Sequence, residues 1–311
     1  MNRADKSLKD PAQARRDEAE RKLQAAKRFG EILMPEDADE PILHPIVRAM
    51  LHEWLVEINN APLLKADGLK PRSLCLLWGP PGCGKTTFAH HFAARLGLPL
   101  LNIKTETMVE SRLGGTPRLF GELFDALEPL NGKVLVFLDE IDSIGSKRTS
   151  SDACAQELAA ALNVMLRRIE KFNGVAMAAT NRHDELDPAL WRRFSLQIEI
   201  MLPSEEERFA ILRRYSSPYD LADDDVELLV ELTRGASPAL LRQLMEGMKR
   251  TLILDRKLKR ETDNAGDVFA RLIHSVSPPP GYGELPPMWA DPGAALEQIA
   301  KISWPPQRST S

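Results

Sequence analysis

The chain has 311 residues, 43% hydrophobic and 28% charged, enough for one large globular domain and one or two smaller ones. A net charge of −4 excludes a bulk electrostatic drive toward nucleic acid or an anionic membrane, leaving only a local basic patch as a route to either. No run approaches the ~18 apolar residues of a membrane span, the N-terminus is charged from Arg3 without the apolar core of a signal peptide, and Cys75, Cys83 and Cys154 lack metal-ligand spacing, so a soluble protein of the reducing cytoplasm is expected.

Residues 1–40 read as a charged N-terminal arm and linker. Leu23, Phe29, Ile32 and Leu33 are the chief apolar positions of its first part, which fits a solvated helix, and an acidic hinge bracketed by Pro35 and Pro41 follows. Beyond it Ile46, Val47, Met50, Leu51, Trp54, Leu55 and Ile58 recur at helical spacing. An apolar run over 73–78 then leads straight into Gly79-Pro80-Pro81-Gly82-Cys83-Gly84-Lys85-Thr86, followed by Thr87 and a helix to Leu96. Residues 98–103 form the next strand candidate, and Gly114-Gly115-Thr116-Pro117 introduces a helix with Leu119, Phe120, Leu123, Phe124 and Leu127 on one stripe.

Two continuous apolar runs, 134–138 and 175–179, have the signature of strands buried on both faces of a parallel sheet; the first ends at Asp139-Glu140, the second at Thr180-Asn181. A long helix over about 152–172 joins them, and 196–201 supplies a last strand. The alternation of strands and helices predicts an α/β fold around a parallel sheet. Ser204 to Glu207 has capping-box spacing, and only helical patterns appear from there to about Val276, predicting a separate helical domain. Residues 277–311 are proline-rich, with Tyr282, Trp289 and Trp304 outside any periodic pattern; the composition predicts a flexible, extended tail or a docking segment for a neighbour.

The G-x-x-x-x-G-K-[ST] spacing after a strand and before a helix builds a phosphate-binding loop. Glycines permit a tight wrap with amide groups pointing inward, and the helix start adds its positive end. Residues 79–87 are therefore the expected nucleotide contacts, with Lys85 on the β/γ-phosphates and the Thr86 hydroxyl on Mg²⁺. Asp139 is placed to hold the metal, Glu140 to orient or deprotonate a water, and Asn181 to touch the γ-phosphate or that water. Arg192 and Arg193, on the rim of the sheet, have the chemistry to stabilise transition-state charge in a neighbouring subunit. His90, His91 and His183 are weaker candidates that read as structural.

Together these residues resemble the AAA+ ATPases, and specifically the AAA subfamily of ring-forming protein remodellers. The resemblance runs from about Pro41 to Val276, with residues 79–86 as Walker A, 136–142 as Walker B, 178–182 as sensor 1 and 186–194 as the arginine-finger segment. It implies a P-loop NTPase sheet in the order 5-1-4-3-2 over 41–203, a helical lid over 204–276, ATP and Mg²⁺ as cofactors, and a homo-oligomer, a hexameric ring, acting on a protein substrate or effector. The alternative it leaves is an ATP-controlled assembly switch; a module acting on DNA is less favoured. Ser111 to Gly115 takes the place of the first pore loop, with Leu113 at the usual aromatic position, and Lys147-Arg148 falls in the second. The inter-subunit signal appears as Glu170-Lys171-Phe172, and Gly235 to Ala239 matches the sensor 2 region loosely, with Arg242 one turn on.

Overall fold

The computed structural model describes residues 21–109, 115–145, 153–258, 264–280 and 282–308. They divide into two compact units, one formed by the described residues up to Glu40 with Met50–Trp78 and Lys85–Glu199, the other by Pro41–Ala49, Gly79–Gly84 and the residues from Ile200 onward.

The first unit is built on a six-stranded sheet. In chain order its elements are β1 (Glu31–Leu33), α1 (Pro45–Asn59, begun in the second unit), α2 (Ala61–Ala66), β2 (Leu74–Trp78), α3 (Lys85–Arg95), β3 (Leu100–Lys104), α4 (Gly115–Leu127), β4 (Leu135–Asp139), α5 (Asp142–Gly145), α6 (Ala153–Ile169), β5 (Ala176–Thr180), α7 (Pro188–Trp191) and β6 (Leu196–Glu199). The sheet order is β1-β3-β4-β5-β2-β6, and every pair except β1–β3 is parallel. With β2 to β6 counted as strands one to five, this is the 5-1-4-3-2 order implied by the resemblance. The apolar runs behave as double-sided burial requires: every residue of β5 is buried, as are Leu135 to Leu138 of β4.

Strand alternation assigns β2 to both sides of the sheet. Leu76 joins a core with Phe120, Leu123 and Leu127 of α4 and Met165 and Ile169 of α6, and these two helices pack on each other. Cys75 and Leu77 point the other way and are equally buried. Burial pushes the Cys75 thiol well above its ordinary pKa, which leaves it an inert apolar group. Trp54 of α1 stacks on Phe92 of α3 with ring centroids 4.1 Å apart, and its indole N–H donates to Arg72 O at 2.7 Å.

The edge strand β1 departs from the expected solvated arm. Glu31, Ile32 and Leu33 pair antiparallel with Asn102, Leu101 and Leu100 of β3, and Ala26 and Phe29 are buried in the core. Gly30 makes this approach feasible: a Cβ there would lie 2.2 Å from Asn102 O. At least the later part of 1–40 is therefore sheet and core.

The second unit contains α8 (Glu205–Ser216), β7 (Tyr219–Asp220), α9 (Asp223–Leu232), α10 (Pro238–Leu258), α11 (Ala265–Ser275), α12 (Pro287–Ala290), α13 (Pro292–Ile299) and β8 (Gln307–Arg308). The Ser204–Glu207 capping box is formed: Ser204 N–H donates to Glu207 Oε2 at 2.7 Å and Glu207 N–H to Ser204 Oγ at 3.4 Å. The proline-rich tail is not extended. Met288, Trp289, Ile299 and Ile302 share a core with Leu229, Leu244 and Phe269, and β8 pairs with β7. Trp289 Nε1 donates to Val276 O at 2.7 Å, while the Tyr282 hydroxyl donates to Gly235 O at 3.1 Å and accepts from Ser237 N–H. Two of the prolines open helices: Pro287 and Pro292 occupy first-turn positions, where their fixed φ suits the helix and no amide donor is missed.

Candidate nucleotide site

The chain leaves β2 after Trp78 and enters α3 at Lys85, so the six residues 79–84 form the whole connection. Gly79, Gly82 and Gly84 have φ of 143°, 75° and 89°, conformations that side chains disfavour. The first is also confined: a Cβ on Gly79 would meet Ile200 O at 2.1 Å. Gly82 O accepts the Ala239 amide at 3.1 Å, tying the loop to the first turn of α10. Pro80 is half-buried, Pro81 is exposed and Cys83 is buried. Lys85 is only 7% exposed, and Thr86 and Thr87 are half-buried on the first turn of α3.

In the first unit the metal candidates meet directly. Thr86 Oγ1 donates to Asp139 Oδ2 at 3.0 Å, although 53 positions separate them in the chain. The other carboxylate oxygen of Asp139 accepts the amide of Glu140 at 3.0 Å. The chain turns sharply there: Glu140 has φ of 54°, the only positive φ outside glycine among the described residues. Burial, and then the nearby Glu106, Asp139 and Asp142 carboxylates, push the Glu140 carboxyl above its ordinary value, with Lys104 opposing them. A raised carboxyl pKa suits a general base better than an ordinary one does.

The adjacent strand ends brace this turn. The Thr180 hydroxyl donates to Asp142 Oδ1 at 2.7 Å and accepts the Arg182 amide at 2.9 Å, so the β4 loop and the chain around Asn181 share one residue. Asn181 itself is exposed immediately beyond β5. Ile141 N–H donates to Ala179 O at 2.9 Å. Arg192 and Arg193 lie just past α7, which is capped by the Asp187 side chain on Ala189 N–H. Both arginines are exposed, and Arg193 Nε contacts Glu170 Oε1 at 2.5 Å. The first residue of the Glu170-Lys171-Phe172 stretch thus meets Arg193 of the finger segment within one chain.

Comparison with known proteins bears on the same residues. Residues 75–202 match the family described as "ATPase family associated with various cellular activities (AAA)". This part of the chain is an AAA ATPase domain. Similar proteins include the "Probable 26S proteasome regulatory subunit 10B" of Caenorhabditis elegans, 34% identical over 223 residues, which is 67% of this chain and 55% of the relative. The "Proteasome-activating nucleotidase" of Thermococcus onnurineus is 34% identical over 207 residues, 64% of this chain and 52% of the relative, and that of Pyrococcus furiosus 36% identical over 194 residues, 60% and 49%. The chain spans about half the length of these curated relatives.

Within the AAA domain some expectations find no structural counterpart to weigh. Residues 111–114 of the first pore-loop stretch and Lys147 and Arg148 of the second lie outside the described residues. Of the three histidines, His90 is buried with Nε2 donating to Met34 O at 2.8 Å, and His183 packs on Trp78 with centroids 4.4 Å apart. Arg242 pairs with Glu246 at 2.7 Å and lies over the Tyr215 ring, as a helical surface arginine does. Thr105 and Thr180 were missed by sequence reasoning. Each is a buried threonine at the C-terminal end of a parallel strand, the position where such sheets gather their ligands, and that position was the available signal.

Proposed function

We propose that this chain is a cytoplasmic, Mg²⁺-dependent ATPase that works in a homo-oligomeric, hexameric ring and uses hydrolysis to unfold or remodel a protein partner. The observation that carries the reading is the Thr86–Asp139 contact at 3.0 Å with Glu140 beside it. Two hard oxygen donors so placed fit Mg²⁺, which keeps most of its shell for water and substrate phosphates. Once bound, Mg²⁺ would neutralise charge on the β- and γ-phosphate oxygens.

In this reading Gly79 to Thr87 wrap the phosphates, and Lys85 adds a positive charge to the β/γ pair. Glu140 takes a proton from the attacking water; the water oxygen bonds the γ-phosphorus, and the bond to the β-bridging oxygen breaks, leaving ADP and phosphate. Asn181 contacts the γ-phosphate or the water, and Arg192 and Arg193 serve the site of the neighbouring subunit. Support for a protein substrate comes from the relatives, whose names tie them to the proteasome. No nucleic acid or membrane is required, and no described helix is long and apolar enough to cross a membrane.

The test is phosphate release with nucleotide affinity measured in parallel. Lys85→Ala should lose both, whereas Glu140→Gln should keep affinity and lose about 10²- to 10⁴-fold in turnover. Parental turnover by Glu140→Gln would refute the base assignment. Mixing Arg193→Ala with Lys85→Ala should restore some activity if the finger works between subunits, and Leu113→Ala should abolish substrate unfolding if the chain threads its partner.

A further inference from the structure

Trp78 is the last residue of β2, fixed by parallel pairing opposite Thr180 of β5 and Glu199 of β6. Two further rings gather on it. The His183 centroid lies 4.4 Å away, and the Trp191 centroid 6.2 Å away with the ring planes at 56°. Tilted rings at such separations attract each other beyond the area they bury. Trp191 closes α7 and stands immediately before Arg192 and Arg193.

α7 is a single turn of four residues, too short to persist on its own, so its surroundings must hold it. Asp187 caps its start, Leu190 is fully buried, and beyond the arginines Phe194 is buried with its carbonyl accepting from Gln197 Nε2. The two arginines between these anchors differ in what holds them. Arg193 is tied to Glu170, whereas the Arg192 side chain makes no hydrogen bond or ion pair among the described residues. The direction of Arg192 is therefore set through its backbone, whose N–H donates to Pro188 O at 3.2 Å and closes the turn. Leu190 pins that turn at one point, about which it can roll; Trp191 against Trp78 supplies a second, on a strand that cannot follow the roll. We infer that Trp191, seated on Trp78, is a positioning residue that aims Arg192 at the nucleotide of the neighbouring subunit. The inference rests on the proposed role of the arginines between subunits.

The test compares Trp191→Ala with Trp191→Phe, which keeps a ring against Trp78. Steady-state ATP turnover and the affinity for a fluorescent nucleotide are read on the full chain, alone and in one-to-one mixtures with Lys85→Ala. Trp191→Ala should lower kcat by about ten- to a hundredfold with nucleotide affinity nearly unchanged, because its own phosphate loop is intact. Trp191→Phe should stay within about threefold of the parent. The mixture of Trp191→Ala with Lys85→Ala should turn over at least about threefold faster than the average of the two alone, since the Lys85→Ala subunit presents a well-aimed Arg192 to an intact loop. A merely structural role for Trp191 predicts no such recovery. The inference is overturned if Trp191→Ala turns over at the parental rate, if affinity falls in step with kcat, or if the mixture shows no recovery. Should the alanine variant fail to fold, Trp191→Leu, which keeps apolar bulk without a ring, carries the same comparison. A control mixture of Arg192→Ala with Lys85→Ala separates the two readings: its failure to recover would defeat the finger assignment itself, whereas recovery there but not with Trp191→Ala would defeat this inference alone.

Discussion

Two glycines with positive φ allow backbone conformation to be separated from steric confinement. Gly97 has φ of 68° with no atom within 4 Å of an added Cβ, whereas Gly79 has φ of 143° and Ile200 backbone atoms at 2.1 and 3.0 Å. Gly97→Ala therefore carries only the left-handed penalty, about 1 kcal/mol. Gly79→Ala adds a conformation that side chains rarely adopt and a clash with a carbonyl that cannot rotate away. Each contributes about 1–3 kcal/mol, so a loss of roughly 2–6 kcal/mol follows. Urea unfolding with tryptophan fluorescence and circular dichroism measures both variants, and nucleotide binding is read beside them. Gly97→Ala should keep parental affinity; Gly79→Ala should bind at least about tenfold more weakly, because the loop proposed to wrap the phosphates must shift to admit the methyl. Equal behaviour of the two variants in both assays would refute the reasoning.

The raised pKa of Glu140 has a defined sign in stability. Burial and three neighbouring carboxylates disfavour its charged form, so its contribution is fully present below the unfolded carboxyl value of about 4.3 and is lost as pH rises through the higher folded value. Glu140→Gln should accordingly be more stable than the parent near neutral pH, with the advantage vanishing in acid; a parent at least as stable as the variant at neutral pH would contradict this. Trp289 tests the folded tail. It is 9% exposed and its indole N–H meets Val276 O at 2.7 Å, so Trp289→Ala should cost about 3–5 kcal/mol of unfolding free energy by urea titration. A near-neutral effect would mean that the tail contributes nothing to the core.

The two central strands β4 and β5 were legible because burial on both faces demands continuous apolar runs, and 134–138 and 175–179 carry no polar residue to confuse the reading. The phosphate loop was legible for a different reason: its glycines are required by local backbone geometry, which a spacing records. The tail was misread through composition. Proline abundance predicts an extended or docking segment, whereas Pro287 and Pro292 start helices whose apolar residues find a core built from α9, α10 and α11. With helices of four and eight residues, α12 and α13 are too short for a periodic pattern to outweigh composition.

The edge strand and the threonine braces share a deeper cause. β1 is three residues long, and its pairing depends on Gly30 lying against Asn102, more than seventy positions away. Thr105 gains its meaning from carbonyls of Asp139 and Glu140, and Thr180 from the carboxylate of Asp142. None of these residues differs in type from a surface or turn residue, so their roles exist only after the parallel order sets β3, β4 and β5 side by side. Direct contacts to a nucleotide are written as motifs because the ligand's shape is constant and the loop must match it locally. The residues that hold those contacts in place answer to the particular packing of this chain. The sheet order, once recognised, therefore directs attention to buried hydroxyls at the ends of neighbouring strands, where an unpaired carbonyl would be costly and a threonine can hold a turn that glycine does not supply.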